Sequence, residues 1–392
     1  SSNGLEKYPK LRFPGFDEPY MECRIGDIYS ERSQRGADDM ELLSVTLNDG
    51  VMPRSEIEGK DNSSEDKSNY KVVCKGDMVY NSMRMWQGAN GVSDYDGIVS
   101  PAYTVLMPNK EIDNRYFASL FKTPNLINEF RKYSQGLTSD TWNLKYPQIR
   151  SIRLYIPSLQ EQHKISVFIS TLEERIGIQR QLVDSLKKYK RGLLHEILCE
   201  KIKVTKSVWN VHKIGDYLNS KNIKQLPTPD APLMAFTATG GVCDKGERYD
   251  RGFLVKDAST KLYKRTDLND FIYSSNNLDV GSIGLNLYGS AVISDVYEIF
   301  SISGADPWFI SEAIQQKSVL HQILKYRQGC LYGQYRIYAE DFLEVSIRVP
   351  PLETQKQIGT IFSRIEYKIK SEQALLDNLE RAKTFFLQQL FI

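Results

Sequence analysis

Cysteine is sparse in this chain, and its pattern excludes two uses. The five, Cys23, Cys74, Cys199, Cys243 and Cys330, are odd in number and never form C-x-x-C. That predicts free thiols in a reducing cytoplasm, not a disulfide framework. Histidine is as sparse: His163, His195, His212 and His321 stand far apart, so no His/Cys cluster has zinc spacing. There is no run of eighteen apolar residues to span a membrane, and no basic stretch leading into an apolar one as in a secretory leader. The phosphate-binding pattern G-x-x-x-x-G-K-[ST] and the nucleophile elbow G-x-S-x-G are both missing. Asp49 with Glu58-Gly59-Lys60 is a weak match to a nuclease carboxylate set, but the polar run around it reads as loop. Gly281-Ser282-Ile283-Gly284 reads as a turn rather than a phosphate cradle. Charge of one sign is lacking too. The net value is +2, and the segments 1–157, 158–200, 201–350 and 351–392 carry −2, +1, +2 and +1. No segment is basic enough to announce nucleic acid by bulk electrostatics, so a nucleic-acid face has to come from local clustering.

What the chain does have is repetition. The stretch from Pro157 to Glu200 returns from Pro350 to Ile392. Its apolar seam runs Ile165, Ile169, Leu172, Ile176, Gln179, Val183, Leu186, Lys190, Leu193, Ile197, with spacings alternating four and three as in a coiled coil. The second copy is displaced by 193 residues: Ile358, Phe362, Ile365, Ile369, Glu372, Leu376, Leu379, Lys383, Phe386, Leu390. Both seams are interrupted by polar residues at the same two places. Two bland amphipathic helices do not explain ten matched positions in fixed register. The pattern predicts two long helices that pair antiparallel, burying Leu172, Ile176, Val183 and Leu186 with Ile365, Ile369, Leu376 and Leu379. Proline at each start suits a helix N-terminus and ends a preceding strand.

The repeat extends beyond the helices. Ile25-Gly26-Asp27 answers Ile214-Gly215-Asp216, Asp77-Met78-Val79-Tyr80 answers Asp270-Phe271-Ile272-Tyr273, and Gly136 answers Gly329. The architecture predicted is therefore a tandem duplication. Its fold class is α+β: two mixed α/β domains (1–157 and 201–350) separated by two long antiparallel coiled-coil helices (158–200 and 351–392), with an internal pseudo-two-fold repeat. Within each half, runs from Val72 to Tyr80, Ile98 to Met107 and Ala291 to Ile302 read as strands. Asp113 is placed to cap a helix over Asn114–Lys122, and Thr123-Pro124 to start another ending near Tyr133. The corresponding helical stretch runs from Asp306-Pro307 to Tyr326. Ile149–Ile156 and Phe342–Val349 read as strands leading into the long helices. Residues 81–97 bear little sequence resemblance to 274–288.

No acid, base, nucleophile and metal set converges anywhere, so the chain is expected not to be an enzyme. Binding chemistry is better represented. Asn81, Arg84, Trp86 and Gln87 combine an arginine, two amides and an aromatic after a strand, and these side chains suit base edges. Arg131, Lys132, Ser134, Gln135, Thr138, Ser139 and Trp142 form a locally basic, hydroxyl- and amide-rich stretch suited to phosphate. The second half offers Lys325, Arg327, Gln328, Tyr332, Gln334, Tyr335 and Arg336. Solvated surface loops are the plain alternative for each.

Two variable halves, each followed by a helix opening on P-x-L-x-x-Q-x-x-I, resemble the specificity subunit of type I restriction–modification enzymes. The residues are Pro157-Ser158-Leu159-Gln160-Glu161-Gln162-His163-Lys164-Ile165 and Pro350-Pro351-Leu352-Glu353-Thr354-Gln355-Lys356-Gln357-Ile358, supported by Pro9 to Phe16. The resemblance covers nearly the whole chain. It implies two target recognition domains, each reading half of a bipartite site in double-stranded DNA. It implies partners too: two methyltransferase subunits docked on the helices, with restriction (translocase/nuclease) subunits outside. It implies no cofactor in this chain, S-adenosylmethionine being held by the methyltransferase. Two rivals are a fused restriction–methylation enzyme and a protein-only coiled-coil scaffold. The first is disfavoured by the absence of an N-P-P-[YF] motif; retention of duplex DNA separates the second.

Overall fold

The structure, a computed structural model, describes residues 8–36, 39–47, 50–59, 63–136, 138, 142–238, 240–244, 261–276, 278, 282–331 and 334–392. The chain divides into two compact units, Ser1–Arg180 with Ala374–Ile392, and Gln181–Gln373.

In the first unit a four-stranded antiparallel sheet has the order Tyr29–Glu31, Tyr103–Pro108, Met78–Asn81, Asn90–Val92. Alternation along its strands decides the two cores. Met78, Tyr80 and Leu106 face a large core with Tyr29, Phe117, Phe121 and Phe130, while Val79 and Val105 face a small one with Leu43, Val45, Val73 and Val99. The small core lies under the hairpin Leu43–Thr46/Gly50–Pro53 and the strand pair Lys71–Val73/Gly97–Val99. The large core is closed by helices Asn114–Leu120 and Pro124–Tyr133 and by Ile165, Ile169, Leu390 and Phe391 of the long helices and their end.

The second unit repeats this plan. Its four-stranded sheet runs Leu218–Ser220, Tyr297–Ile302, Phe271–Ser274, Ile283–Leu285. Phe271 and Tyr273 face the large core and Ile272 the small one. The segments with little sequence resemblance share one described feature: Asn90–Val92 and Ile283–Leu285 both pair with the preceding central strand. An added strand, Lys224–Gln225, joins the sheet of Tyr263–Thr266 and Ala291–Ile293.

Several expected elements are shorter than predicted, for local reasons. The run Val72–Tyr80 is two strands in different sheets, broken where the Asp77 carboxylate accepts from Cys74 N and pairs with Arg32 at 2.7 Å. Ile98–Met107 breaks at Ser100-Pro101-Ala102, a turn closed by Tyr103 N donating to Ser100 O. Ala291–Ile302 breaks likewise, with Tyr297 N donating to Ser294 O. The strands leading into the long helices begin at Arg153 and Ser346, because the preceding residues fold as short helices, Tyr146–Ile149 and Ala339–Leu343. The first capped helix ends at Leu120, with Asp113 accepting from Tyr116 N as expected. The stretch after Asp306 is three pieces, Pro307–Ile314, Lys317–Ile323 and the turn Leu324–Tyr326. There the Gln315 side chain takes the Ser311 carbonyl at 3.1 Å.

The long helices are Leu159–Leu198 and Leu352–Leu390. Each unit shows them antiparallel. In the first, Phe168 meets Phe386 (centroids 4.9 Å apart), Glu173 pairs with Lys383 (2.7 Å) and Arg180 with Glu380 (2.8 Å). In the second, Lys187 reaches Gln373 (3.2 Å) and Lys190 reaches Glu366 (2.9 Å). Ile176, Val183, Ile369 and Leu376 are buried, whereas Leu172, Leu186, Ile365 and Leu379 are half-buried. Burial thus follows the 193-residue repeat position by position.

The glutamine of the P-x-L-x-x-Q pattern has a clear task. Gln162 Oε1 accepts from Asp113 N (3.1 Å) while its Nε2 donates to Pro157 O (2.9 Å). Gln355 does the same with Asp306 N (3.1 Å) and Pro350 O (2.9 Å). Both amides are buried, 3% and 2% exposed, so each satisfies two backbone groups that water does not reach. Replacing Gln162 or Gln355 by alanine is expected to cost about 1–3 kcal/mol for each backbone group left unpaired. Urea denaturation reads this directly, and an unchanged midpoint would show that the bonds contribute nothing. The repeat also explains one glycine. Ser166 donates to Asp113 Oδ2 at 2.7 Å, but at its counterpart Gly359 a Cβ would stand 1.9 Å from Asp306 Oδ1. Asp306 rides closer to its helix than Asp113 does, and only glycine leaves room.

Candidate nucleic-acid interface

In the first unit three segments are drawn together at one end of the central strand. The turn after Asn81 is pinned by Met83 N donating to Asn81 Oδ1 at 3.0 Å, and Met85 is buried beneath it. Leu144 N donates to Ser82 O at 2.8 Å, and Gln135 and Asn143 exchange backbone bonds of 3.0 and 2.8 Å. These contacts bring Trp142 edge-on to Trp86, with centroids 5.3 Å apart. The end of helix Pro124–Tyr133 delivers Arg131, whose guanidinium lies 5.6 Å from the Trp86 ring. The tryptophans are half-buried and the indole of Trp86 donates to Met83 O at 3.1 Å.

The sequence candidates separate accordingly. Arg84 and Gln87 are exposed, and among the described residues no side-chain bond holds either. Arg131, Gln135 and Thr138 are exposed beside them. Asn81 is committed to its turn, Ser134 Oγ to Phe130 O at 2.7 Å, and Lys132 to Glu129 at 2.6 Å. Ser139 lies outside the described residues, as do Asp49, Lys60 and Gly281.

The second unit builds the same clamp. Ile337 N donates to Ser275 O at 2.9 Å; both residues stand 193 positions after Leu144 and Ser82. Tyr335 takes the place of Trp142, and the Arg327 guanidinium lies 4.7 Å from its ring. Here the loop is a hairpin, Gln328–Leu331 with Gln334–Arg336. Lys325 and Arg327 are exposed. Gln328 donates to Asp341 at 2.6 Å, and Arg336 pairs with Glu298 at 3.1 Å while covering Tyr338, so these two hold the fold. Tyr332 and the side chain of Gln334 lie outside the described residues. Sequence reasoning found the aromatics and cations but missed the Ser82 and Ser275 carbonyls that fasten the loops. The signal was available as two serines at the repeat offset.

A guanidinium on an aromatic face, with Arg84, Gln87 and Gln135 exposed in the first unit and Lys325 in the second, can present bidentate donors to a base edge or a charge to a phosphate. Among the described residues no group of His, Cys, Asp and Glu is placed to hold a metal, and no helix is long and apolar enough to cross a membrane.

The family model for the type I restriction modification DNA specificity domain matches twice, over residues 18–188 and 207–381. The chain belongs to this family. Its two target recognition domains are the two globular halves described above. A relative described as the MjaX type I restriction enzyme specificity subunit, from Methanocaldococcus jannaschii, is 22% identical over 83% of this chain and 79% of its own length. The HindI specificity subunit of Haemophilus influenzae is 27% identical over 31% of this chain and 28% of its own length. The solved type I S subunit from M. genitalium shares the fold at a TM-score of 0.66 and 14% identity, covering 98% of this chain and 99% of that one.

Proposed function

We propose that the chain is the DNA-reading, non-catalytic subunit of a type I restriction–modification complex. Each target recognition domain reads one half of a bipartite duplex site. The helix pair separates the half-sites and docks two methyltransferase subunits, which carry S-adenosylmethionine, and restriction subunits join these. The setting is cytoplasmic. The observation that carries this reading is the recurrence, at one position of the repeat, of a loop fastened to the central strand, with an arginine on an aromatic ring beside it in each unit, Arg131 of the helix end on Trp86 in the first and Arg327 on Tyr335 in the second. A shared frame with different loop residues suits two sites of one kind reading different sequences. A subunit that works inside a complex also shares phosphate neutralisation with its partners, in keeping with its net charge of only +2.

The test is co-purification with the native partners, followed by mapping of methylated adenines. A two-part recognition sequence is the expected result; methylation by the chain alone, or none by the complex, overturns the reading. Within it, Arg84→Ala is expected to weaken the specific site by about 1–3 kcal/mol and to relax preference at one position, if its contact is bidentate to guanine. Equal weakening on every sequence reassigns Arg84 to phosphate.

A further inference from the structure

Lys190 interrupts the apolar seam of the first long helix, and the second unit gives it two partners. Its Nζ lies 2.7 Å from Glu312 and 2.9 Å from Glu366. Burial works to lower the pKa of this ammonium, but the two carboxylates outweigh it and hold it above its ordinary value. Glu366 belongs to the second long helix, so that pair joins helix to helix. Glu312 belongs to helix Pro307–Ile314 of the recognition domain, so that pair joins domain to helices.

The domain is already anchored lower down, where Leu193, Ile197, Ile358 and Phe362 enter its core. From Ile358 to Glu366 the helix climbs about 12 Å. Between domain and helix pair at that level is a cavity of about 350 Å³, lined by Phe236, Ile283 and Lys370 besides the ion cluster. The faces there are not in continuous contact; the Lys190 cluster and the edge of Trp308 against Tyr367 bridge them. One anchor leaves a hinge, and a second anchor higher up fixes an angle. In the first unit the matching lysine and glutamate, Lys383 and Glu173, pair at 2.7 Å, but Ser119 stands where Glu312 does.

We propose that Glu312, acting through Lys190, is a positioning residue that fixes the tilt of the second recognition domain on its helix pair, and so sets how strictly the complex measures the spacer between half-sites. This rests on the reading above. A small change of tilt at the anchor moves the recognition loop along the duplex, so a looser domain accepts spacers that the locked one rejects.

The experiment uses the full complex with its native partners and duplexes carrying the mapped site with its own spacer, or one base pair more or less. Glu312→Gln is expected to raise methylation of the altered spacers relative to the native one by at least about threefold, with both half-sites unchanged. Lys190→Arg, which keeps the charge, should retain most of the strictness. Glu312→Asp retracts the carboxylate by one methylene and should give a smaller rise in a fold closer to the wild type. Lost stability alone lowers all three rates together and leaves their ratio fixed. An unchanged ratio in an assembled Glu312→Gln or Glu312→Asp complex overturns the proposal. Absence of any bipartite site in the wild-type complex overturns the functional reading instead.

Discussion

Inserting one heptad into each long helix, after Ser185 and after Asn378, is expected to lengthen the unspecified spacer by up to about 3 base pairs while both half-site sequences stay the same. Seven helical residues add roughly 10 Å, and each base pair of duplex rises about 3.4 Å. The insertion points are exposed positions within unbroken helix, and seven residues restore the seam on either side. Antiparallel pairing requires both insertions, because lengthening one strand alone shifts the ion pairs Glu173–Lys383 and Lys190–Glu366 out of register. An insertion of two residues turns the buried positions Ile176, Val183, Ile369 and Leu376 away from the seam and is expected to lose the complex. The measurement is methylation mapping of each variant. An active heptad variant with an unchanged spacer would show that the helices do not set the distance.

Replacing Arg12 by alanine is expected to cost about 3–5 kcal/mol, because it leaves a buried carboxylate unpaired. Glu161, 1% exposed, receives both arms of Arg12 at 2.8 Å and, among the described residues, only the Tyr20 hydroxyl at 3.3 Å besides. The second unit solves the same position without charge: Thr205 and Ser207 share hydrogen bonds of 3.0 and 3.1 Å with the Thr354 hydroxyl. Arg12 and Glu161 stand 193 residues before Thr205 and Thr354. The double variant Arg12→Thr with Glu161→Thr copies the Thr205–Thr354 part of that neutral solution and should recover most of the loss, since no charge is then stranded. Urea denaturation of the three proteins decides it. A small cost for Arg12→Ala would mean that water or Tyr20 satisfies Glu161.

The parts of this fold legible in the sequence are those with a period or a cap. The heptad seams gave both long helices and their pairing, and Asp113 and Asp306 gave two helix starts, because each signal is local. Strand limits were lost where a side chain interrupts from a distance: Asp77 breaks its run because Arg32 and Cys74 N hold it there. Gly91 looks like any loop glycine, yet a Cβ on it would stand 2.8 Å from Gly50 Cα, a close approach between hairpin and sheet that no local pattern encodes. The loop residues were found by type, but their meeting was not. Trp86 and Trp142 are far apart in sequence and are joined through the Ser82 carbonyl, which has no side-chain signature.

The unlike links beneath the two halves bear on how such a protein is recombined. A crossover that brings in a new first half ahead of the long helix, but keeps Glu161, strands that carboxylate unless the incoming segment supplies its own arginine at position 12. The reverse graft, a first half carrying Arg12 set above the Thr354 helix, brings a guanidinium to a nest of hydroxyls. A graft that keeps each buried pair whole therefore takes the half together with the first turn of the helix that follows it, with its join beyond Gln162 rather than at the proline where the helix begins.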